Sequence, residues 1–456
     1  MTAMARWKKI VIVVAVIILV AVLAFWIVSK NSGVAKLKIE AVMGTKPVIS
    51  DPAKPLIPVV NIAPVKGWQG NAAPIPATGL KVNAFATGLD HPRWLLALAN
   101  GDVLVAEAQA PERPKENQGI KAKIMGFVMG QAGSGDKPSA NRITLLRDAD
   151  GDGVAETRSV LIAGLNSPVG MAVANGQLYI ANADALVRVP FTVGQTKITD
   201  KPVKVTDLPG GPINHHWVKN VVASPDGAKL YVSVGSNSNI GENGLPAEEG
   251  RAAIWEVDAK TGEHRIFAAG LRNPNGMAWE PTTKELFTVV NERDELGSDI
   301  VPDYLTSVQF GGFYGWPWFY WGGYVDKRVQ PENEQMQQYT IRPDYALGPH
   351  TASLGLTFAA GAKLGQFTDG AFIGQHGSWN RKPKSGYKVI FVPFVNGVPF
   401  GRPVDVLTGF LDKDEKAQGR PVGVQIDRTG ALLVADDVGD RVWRVSATGK
   451  SALAAR

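Results

Sequence analysis

One phrase recurs along this chain: a Gly-Leu-x-x-Pro-like loop, a short apolar strand, a polar turn and a second strand. Gly88-Leu-Asp-His-Pro-Arg-Trp leads to Asn100-Gly101, and Gly164-Leu-Asn-Ser-Pro-Val-Gly leads to Asn175-Gly176. Gly270-Leu-Arg-Asn-Pro-Asn-Gly leads to Pro281 and a strand from Leu286. Looser copies start at His215-His216-Trp217, Leu354-Gly355-Leu356 and Arg420-Pro-Val-Gly. A unit this small cannot bury an apolar face alone, so the copies must pack on one another. Strands and turn signals at repeating intervals predict an all-β chain folded as a β-propeller, with the loops before the inner strands gathered at one end of a channel. The 50 glycines and 30 prolines agree with many short strands joined by turns.

Ahead of the repeats, Ile10 to Val28 is an unbroken apolar run preceded by Arg6, Lys8 and Lys9. Its length nearly matches the ~30 Å hydrocarbon core of a bilayer, and the basic flank places the N-terminus inside. The run therefore reads as a single-pass transmembrane helix in the inner (cytoplasmic) membrane, with the body on the periplasmic side. A cleaved signal peptide, with Gly33-Val34-Ala35 as cleavage site, is the rival reading. Seven prolines between Pro47 and Pro76 read as an extended tether. The expected organisation is a membrane anchor (1–30), a Pro-rich linker (31–85) and a propeller (86–456).

Several functions are excluded. Residues 1–70 hold nine of the basic residues and two acids, so the formal charge of +6 lies in this leader and the body is near neutral. No basic face for nucleic acid is expected. The absence of cysteine removes disulfides, thiolate metal sites, cysteine nucleophiles and attached c-type haem. There is neither a Rossmann glycine loop nor a Gly-x-Ser-x-Gly elbow.

What remains for chemistry is histidine, arginine and carboxylate. His91, His215, His216, His350 and His376 lie near blade starts or strand ends, and histidine is the side chain best suited to act as a base near neutrality. Arg93, Arg272, Arg381 and Arg420 recur in the same loops. Four fixed cations around one axis would form a funnel for a small polyanion. Asp148-Ala-Asp150-Gly-Asp152-Gly153 matches the first half of a calcium loop, but Ser159 stands where the twelfth-position glutamate belongs. Glu156 is a substitute, and a plain polar hairpin is the alternative. The cluster Asn291-Glu292-Arg293-Asp294 is a second cation candidate.

The block from Gly270 through Asn291-Glu-Arg-Asp to Gly311-Gly-Phe-Tyr-Gly-Trp-Pro resembles the soluble quinoprotein glucose dehydrogenase family, and within it the membrane-anchored L-sorbosone dehydrogenase branch. Asp90-His-Pro-Arg-Trp, Leu145-Leu-Arg-Asp-Ala-Asp-Gly-Asp-Gly, His215-His-Trp-Val-Lys-Asn and Gly374-Gln-His-Gly-Ser-Trp-Asn-Arg extend the likeness over roughly residues 86–446. The resemblance implies a six-bladed propeller binding pyrroloquinoline quinone (PQQ) and calcium (Ca2+), and oxidising a sugar or sugar-derived aldehyde. It implies His216 as the base and Arg272 beside the reactive quinone oxygen. It also implies cofactor contacts from Arg93, Lys219, Asn273, Arg381 and Arg420, and calcium ligation near Arg293 and Asp294. The electron acceptor would be a membrane quinone or a cytochrome. Two other functions stay open: a calcium-dependent lactonase-type propeller hydrolase, and a non-catalytic extracytoplasmic binding propeller.

Overall fold

In the computed structural model, described for residues 3–55, 59–112, 130, 131, 133 and 137–449, the repeated phrases become six antiparallel blades. Blade 1 is built from Pro92–Ala97, Val103–Glu107, Arg142–Arg147 and Thr157–Ala163. The inner strands of blades 2 to 6 are Met171–Ala174, Lys219–Ala223, Asn273–Trp279, Ser353–Phe358 and Pro421–Ile426. Each inner strand packs against the next, and that of blade 6 packs against that of blade 1, so the ring is closed. Closure is completed by Leu80–Thr87, which pairs antiparallel with the outer strand Arg441–Ala447 of blade 6. This strand starts ahead of the domain boundary expected at residue 86.

The loop-Pro and Gly signals have a structural cause. The ladder is broken by a bulge between Pro92 and Trp94, Pro274 and Met277, Ser353 and Gly355, and Pro421 and Val424. Proline cannot donate to a ladder, so a bulge at the strand start is where it is tolerated. The glycine three or so residues on lets neighbouring inner strands crowd the axis. A Cβ on Gly276 would stand 2.7 Å from the Leu354 carbonyl oxygen, and one on Gly355 only 2.1 Å from that of Val422.

The core is divided between the blades. Six apolar clusters form, one at each blade-to-blade interface. In the second strand of blade 1, Val103 and Val105 pack toward blade 6, whereas Leu104 and Ala106 pack toward blade 2. Successive side chains point to opposite faces. Because both faces are covered, the second strands read as continuous apolar runs rather than alternating ones.

The segment expected to be a free tether is instead a strap on the propeller. Met43–Gly44 adds to the outer edge of blade 4 and Ile75–Pro76 to that of blade 5. Between and around them the backbone is pinned to loops: Ala35 N–H donates to Lys382 O (2.7 Å), Ala53 N–H to Leu296 O (2.9 Å), Asn61 N–H to Trp379 O (2.7 Å) and Lys66 N–H to Ala417 O (2.8 Å). Proline-rich backbone has few donors of its own, so it lies flat along loops that supply partners.

The apolar run forms helix Ala3–Asn31. Its side chains are described at Trp7 and over residues 10–23, all exposed. Among the described residues no helix is long and apolar enough to cross a membrane.

Candidate active site

In each blade the inner strand begins, and the second strand ends, at the same end of the channel, here called the upper end. Loops from five blades meet there in a nearly continuous ring of polar contacts.

On blade 3, His216 is half-buried in the loop leading into Lys219–Ala223. Its Nδ1 lies 2.8 Å from the Ser236 carbonyl oxygen and 2.9 Å from Ser236 Oγ. Ser236 Oγ already donates to Ser238 O (2.7 Å), and a carbonyl can only accept. The proton of a neutral ring must therefore sit on Nδ1, leaving the Nε2 lone pair as the basic position. Burial, with the neighbouring charge of Arg272, pushes the His216 pKa well below its usual value. The imidazole is thus neutral near pH 7.

Lys219 is fully buried beneath that loop, donating to Asn214 Oδ1 (3.4 Å), His216 O (3.2 Å) and Trp217 O (3.3 Å). Burial lowers its pKa to about 7. Its geometry is that of a post holding the His216 loop, in place of the expected cofactor contact. Beside Trp217 opens a cavity of about 320 Å³, with Asn214, Asn166 and Asp184 in its wall.

On blade 4, Arg272 is buried and spends its fork on the protein. Nε reaches Asn239 O (3.0 Å), Nη1 reaches Asn291 O (3.3 Å) and Glu292 O (2.7 Å), and Nη2 reaches Asn239 Oδ1 (3.0 Å) and Asp294 Oδ2 (3.5 Å). Asn273 is linked to Asn291 (3.4 Å), while its Oδ1 is buried without a hydrogen-bond partner.

Asp294 is clamped from both sides. Asn380 Nδ2 donates to its Oδ1 (2.8 Å) and His350 Nδ1 lies 3.4 Å away. Burial raises its pKa, but His350, Arg272 and Asn380 outweigh this and hold it at about 2. Its carbonyl oxygen accepts from Arg328 Nη1 (3.0 Å). Arg293 turns away: its guanidinium, wholly buried, donates to Pro317 O and Phe319 O (both 2.6 Å) and lies over the Tyr320 ring. It fastens the long excursion that climbs from blade 4 along blade 3 to Trp316-Pro317. The expected calcium position near Arg293 and Asp294 is therefore filled with cations and N–H donors, and these residues do not fit a calcium ion.

Across blades 5, 6 and 1, Asp437 is buried among His376 Nε2 (2.9 Å), His91 Nε2 (3.5 Å) and Arg93 Nη1, which hydrogen-bonds to it closely. Burial works against its charge, but His376, His91 and Arg93 keep its pKa far below the usual range. Arg93 also lies 5.8 Å above the Trp217 ring, bringing this cluster to the His216 loop. Arg420 is buried; it gives Nη2 to Ala63 O (3.1 Å), faces the Tyr387 ring (5.4 Å) and, like Arg381, makes no ion pair among the described residues. The Nε atoms of Arg93 and Arg420 are buried without partners.

The expected funnel of four cations is thus redistributed. Arg93 and Arg272 are matched by Asp437 and Asp294. Arg381 is tied to Ser298 O (2.9 Å) and Pro383 O (2.8 Å) under the strap. Arg420 faces no acid, and with the orphaned Nε donors of Arg93 and Arg420 it fits a small polycarboxylate.

The aspartate loop lies at the lower end, in the turn between the third and fourth strands of blade 1. Oxygens of Asp148, Asp150, Asp152 and Glu156 converge within 4.8 Å. The loop is sewn to the closing strand by Asn83 Nδ2 to Gly153 O (2.8 Å) and Ala155 N–H to Phe85 O (2.8 Å). It is remote from the histidine-bearing end.

Asn239 had no sequence signal beyond its residue type. Asn380 lies in the Gly374–Arg381 block without being singled out in it, and His350 was singled out only for its position at a blade start or strand end.

The fold is thus a closed six-bladed propeller with a neutral histidine and buried arginines at one end of its channel. Comparison with known proteins narrows this. Residues 171–378 match the glucose/sorbosone dehydrogenase family model, and residues 320–448 a TrAA12-like model. The chain is 28% identical over 293 residues to an uncharacterized protein of Borreliella burgdorferi, covering 62% of this chain and 76% of that one. It is 27% identical over 221 residues to the pyrroloquinoline quinone-dependent pyranose dehydrogenase of Coprinopsis cinerea, covering 39% of this chain and 30% of that one. It therefore spans less than a third of that enzyme's length. The holo form of the PQQ domain of Coprinopsis cinerea pyranose dehydrogenase superposes with a TM-score of 0.66 at 20% identity, over 84% of this chain and 100% of that one. Kinship with the PQQ-dependent sugar dehydrogenases, read first from the motifs, is borne out by these matches.

Proposed function

We propose that this chain is a membrane-anchored quinoprotein dehydrogenase that oxidises a sugar or sugar-derived aldehyde, of aldose or L-sorbosone type, on the extracytoplasmic side. The observation that carries the reading is His216: a half-buried imidazole, fixed in its Nδ1–H tautomer by Ser236, beside Arg272 at the upper end of the channel. Pyrroloquinoline quinone, when bound, supplies a two-electron acceptor. Arg420, by its charge and orphaned Nε, and Arg93, by its orphaned Nε, are the residues that would hold its carboxylates, and Asn273 Oδ1 offers an acceptor for an N–H donor. His216 Nε2 removes the proton of a substrate hydroxyl, for an aldehyde that of its hydrate. The ring is neutral and fixed, so it needs no reorientation to accept it. Arg272 contributes a rigid positive field near that proton transfer; held by five protein contacts, it does not reorganise as charge develops. The cavity by Trp217 offers amide and carboxylate groups suited to hydroxyls. Electrons leave to a membrane quinone or a cytochrome.

A lactonase-type hydrolase would need convergent carboxylates at this end. Among the described residues the one such cluster is the Asp148–Glu156 loop at the lower end. The deciding experiment adds the quinone to purified protein, with calcium or with chelator, and follows dye reduction with a panel of sugars and aldehydes. Reduction requiring the quinone supports the proposal. Lactone hydrolysis without quinone points to the hydrolase, and quinone binding without turnover on any substrate to the binding protein.

A further inference from the structure

The strap has a consequence for how the molecule sits. Helix Ala3–Asn31 ends two residues before Gly33, whose carbonyl accepts from Ser298 Oγ (2.5 Å). Val34 then bridges to Lys382, and the N–H groups of Lys36 and Leu37 donate to Asp299 (2.8 and 3.2 Å). Two residues of chain reach about 7 Å at most. The helix must therefore leave the body beside loops 296–300 and 379–386, whatever its direction. Both loops follow second strands, so both belong to the upper end; Asp294 and Asn380 stand at their bases. A flexible tether would let the propeller tumble, but this one cannot.

Charge follows the same geometry. Lys36, Lys38, Lys46 and Lys54 are exposed along the strap. The body carries almost no net charge, so the positive charge of the chain is gathered at the helix and the strap. Clustered lysines beside an apolar segment suit a surface of anionic phosphate headgroups. The described helix side chains, Ile10 to Leu23, are apolar and exposed, with nothing of the propeller against them.

We propose that the strap is a rigid brace that holds the upper, site-bearing end of the propeller against an anionic bilayer surface, with the lower end facing away. This rests on the reading of the helix as a membrane anchor. Substrate then enters, and electrons leave, through the layer between propeller and lipid.

The chain contains no cysteine, so single-cysteine variants label at one place. Lys413 is exposed in a connection between blades 5 and 6 at the upper end, and Lys260 in a turn of blade 3 at the lower end. Full-length Lys413→Cys and Lys260→Cys would each carry a fluorophore, be reconstituted into phosphatidylethanolamine/phosphatidylglycerol vesicles, and be exposed to a headgroup-attached quencher. We expect several-fold stronger quenching at 413 than at 260. Loosening the brace with Ser298→Ala plus Asp299→Asn should erase that difference while the protein still floats with the vesicles. Flotation with equal quenching, or stronger quenching at 260, overturns the orientation and leaves the anchor standing. Failure to float overturns the anchor and the orientation with it.

Discussion

At the residue scale, His216 is governed by what its unused nitrogen faces. The Ser236 carbonyl fixes the tautomer and burial lowers the pKa, so the base stays unprotonated below the usual histidine range. For the quinone-loaded enzyme, the acidic limb of the kcat/KM profile should therefore lie below pH 6.5, the reference histidine pKa. His216→Ala should lose kcat by at least about 100-fold, the low end of general-base contributions, with little change in quinone affinity by titration; equal losses in both would assign the residue a structural role. Arg420 should behave in the opposite way. Arg420→Gln is expected to weaken quinone binding by about ten- to hundred-fold, the worth of one or two charge-assisted hydrogen bonds. The His350–Asp294 pair adds a pH dependence of stability. His350 is raised despite burial, which alone would lower it, because Asp294 favours its charged form. A raised histidine stabilises the fold fully below its unfolded value and loses that contribution as pH rises through the folded one. Denaturant midpoints should fall as pH rises above 6.5, the reference histidine value, and the fall should disappear in His350→Gln.

At the scale of elements, the strap and the blade interfaces set the terms. Trp68 Nε1 donates to Asp436 Oδ2 (2.6 Å), a buried carboxylate that also accepts from Arg420 N–H (2.7 Å). Burial lifts Asp436 to about 6 despite these donors. Trp68→Phe removes one charge-assisted bond and should cost about 1.5–3 kcal/mol in chemical denaturation. Leu433, fully buried between blades 6 and 1, should cost about 2–5 kcal/mol when cut to alanine. The repeats were legible because the blades share a loop-to-strand junction, with a bulge in four of them and a proline at three of those bulges, and such junctions must be written locally. The strap was not. Its bonds are made by backbone groups and by partners hundreds of residues away, and proline richness alone reads the same for a free linker and a pinned one. The site was legible in part for the same reason. His216, Arg272 and Asn273 stand at strand starts that the repeat predicts. Asn380 and Asn239 reach the centre from loops whose paths depend on their neighbours. The supposed metal residue Arg293 could be recognised as a fastener only once Pro317 and Phe319 were seen around it.

At the scale of the molecule, the two ends of the ring are chemically separate. The upper end gathers histidines, arginines and amides; the lower end holds the Asp148 loop, whose carboxylate accepts from Gly151 N–H (2.7 Å) and Gly153 N–H (2.9 Å). Asp148→Ala should lower the melting temperature by loosening the junction between blade 1 and the closing strand. Quinone affinity, measured by absorbance titration, should be unchanged; a shift in that affinity would show that the ends communicate.

The closing strand also dictates an order of manufacture. Thr87 leaves the ribosome long before its partner Arg441, so the ring can shut only after the strand Arg441–Ala447 has been made. Until then blades 1 and 6 each present an unpartnered apolar face and an open edge, the condition in which partly made chains stick to one another. If the body is exported N-terminus first, the whole propeller must cross before its seam can be sewn. Folding can then be completed only on the far side, where the C-terminal strand finally meets its partner.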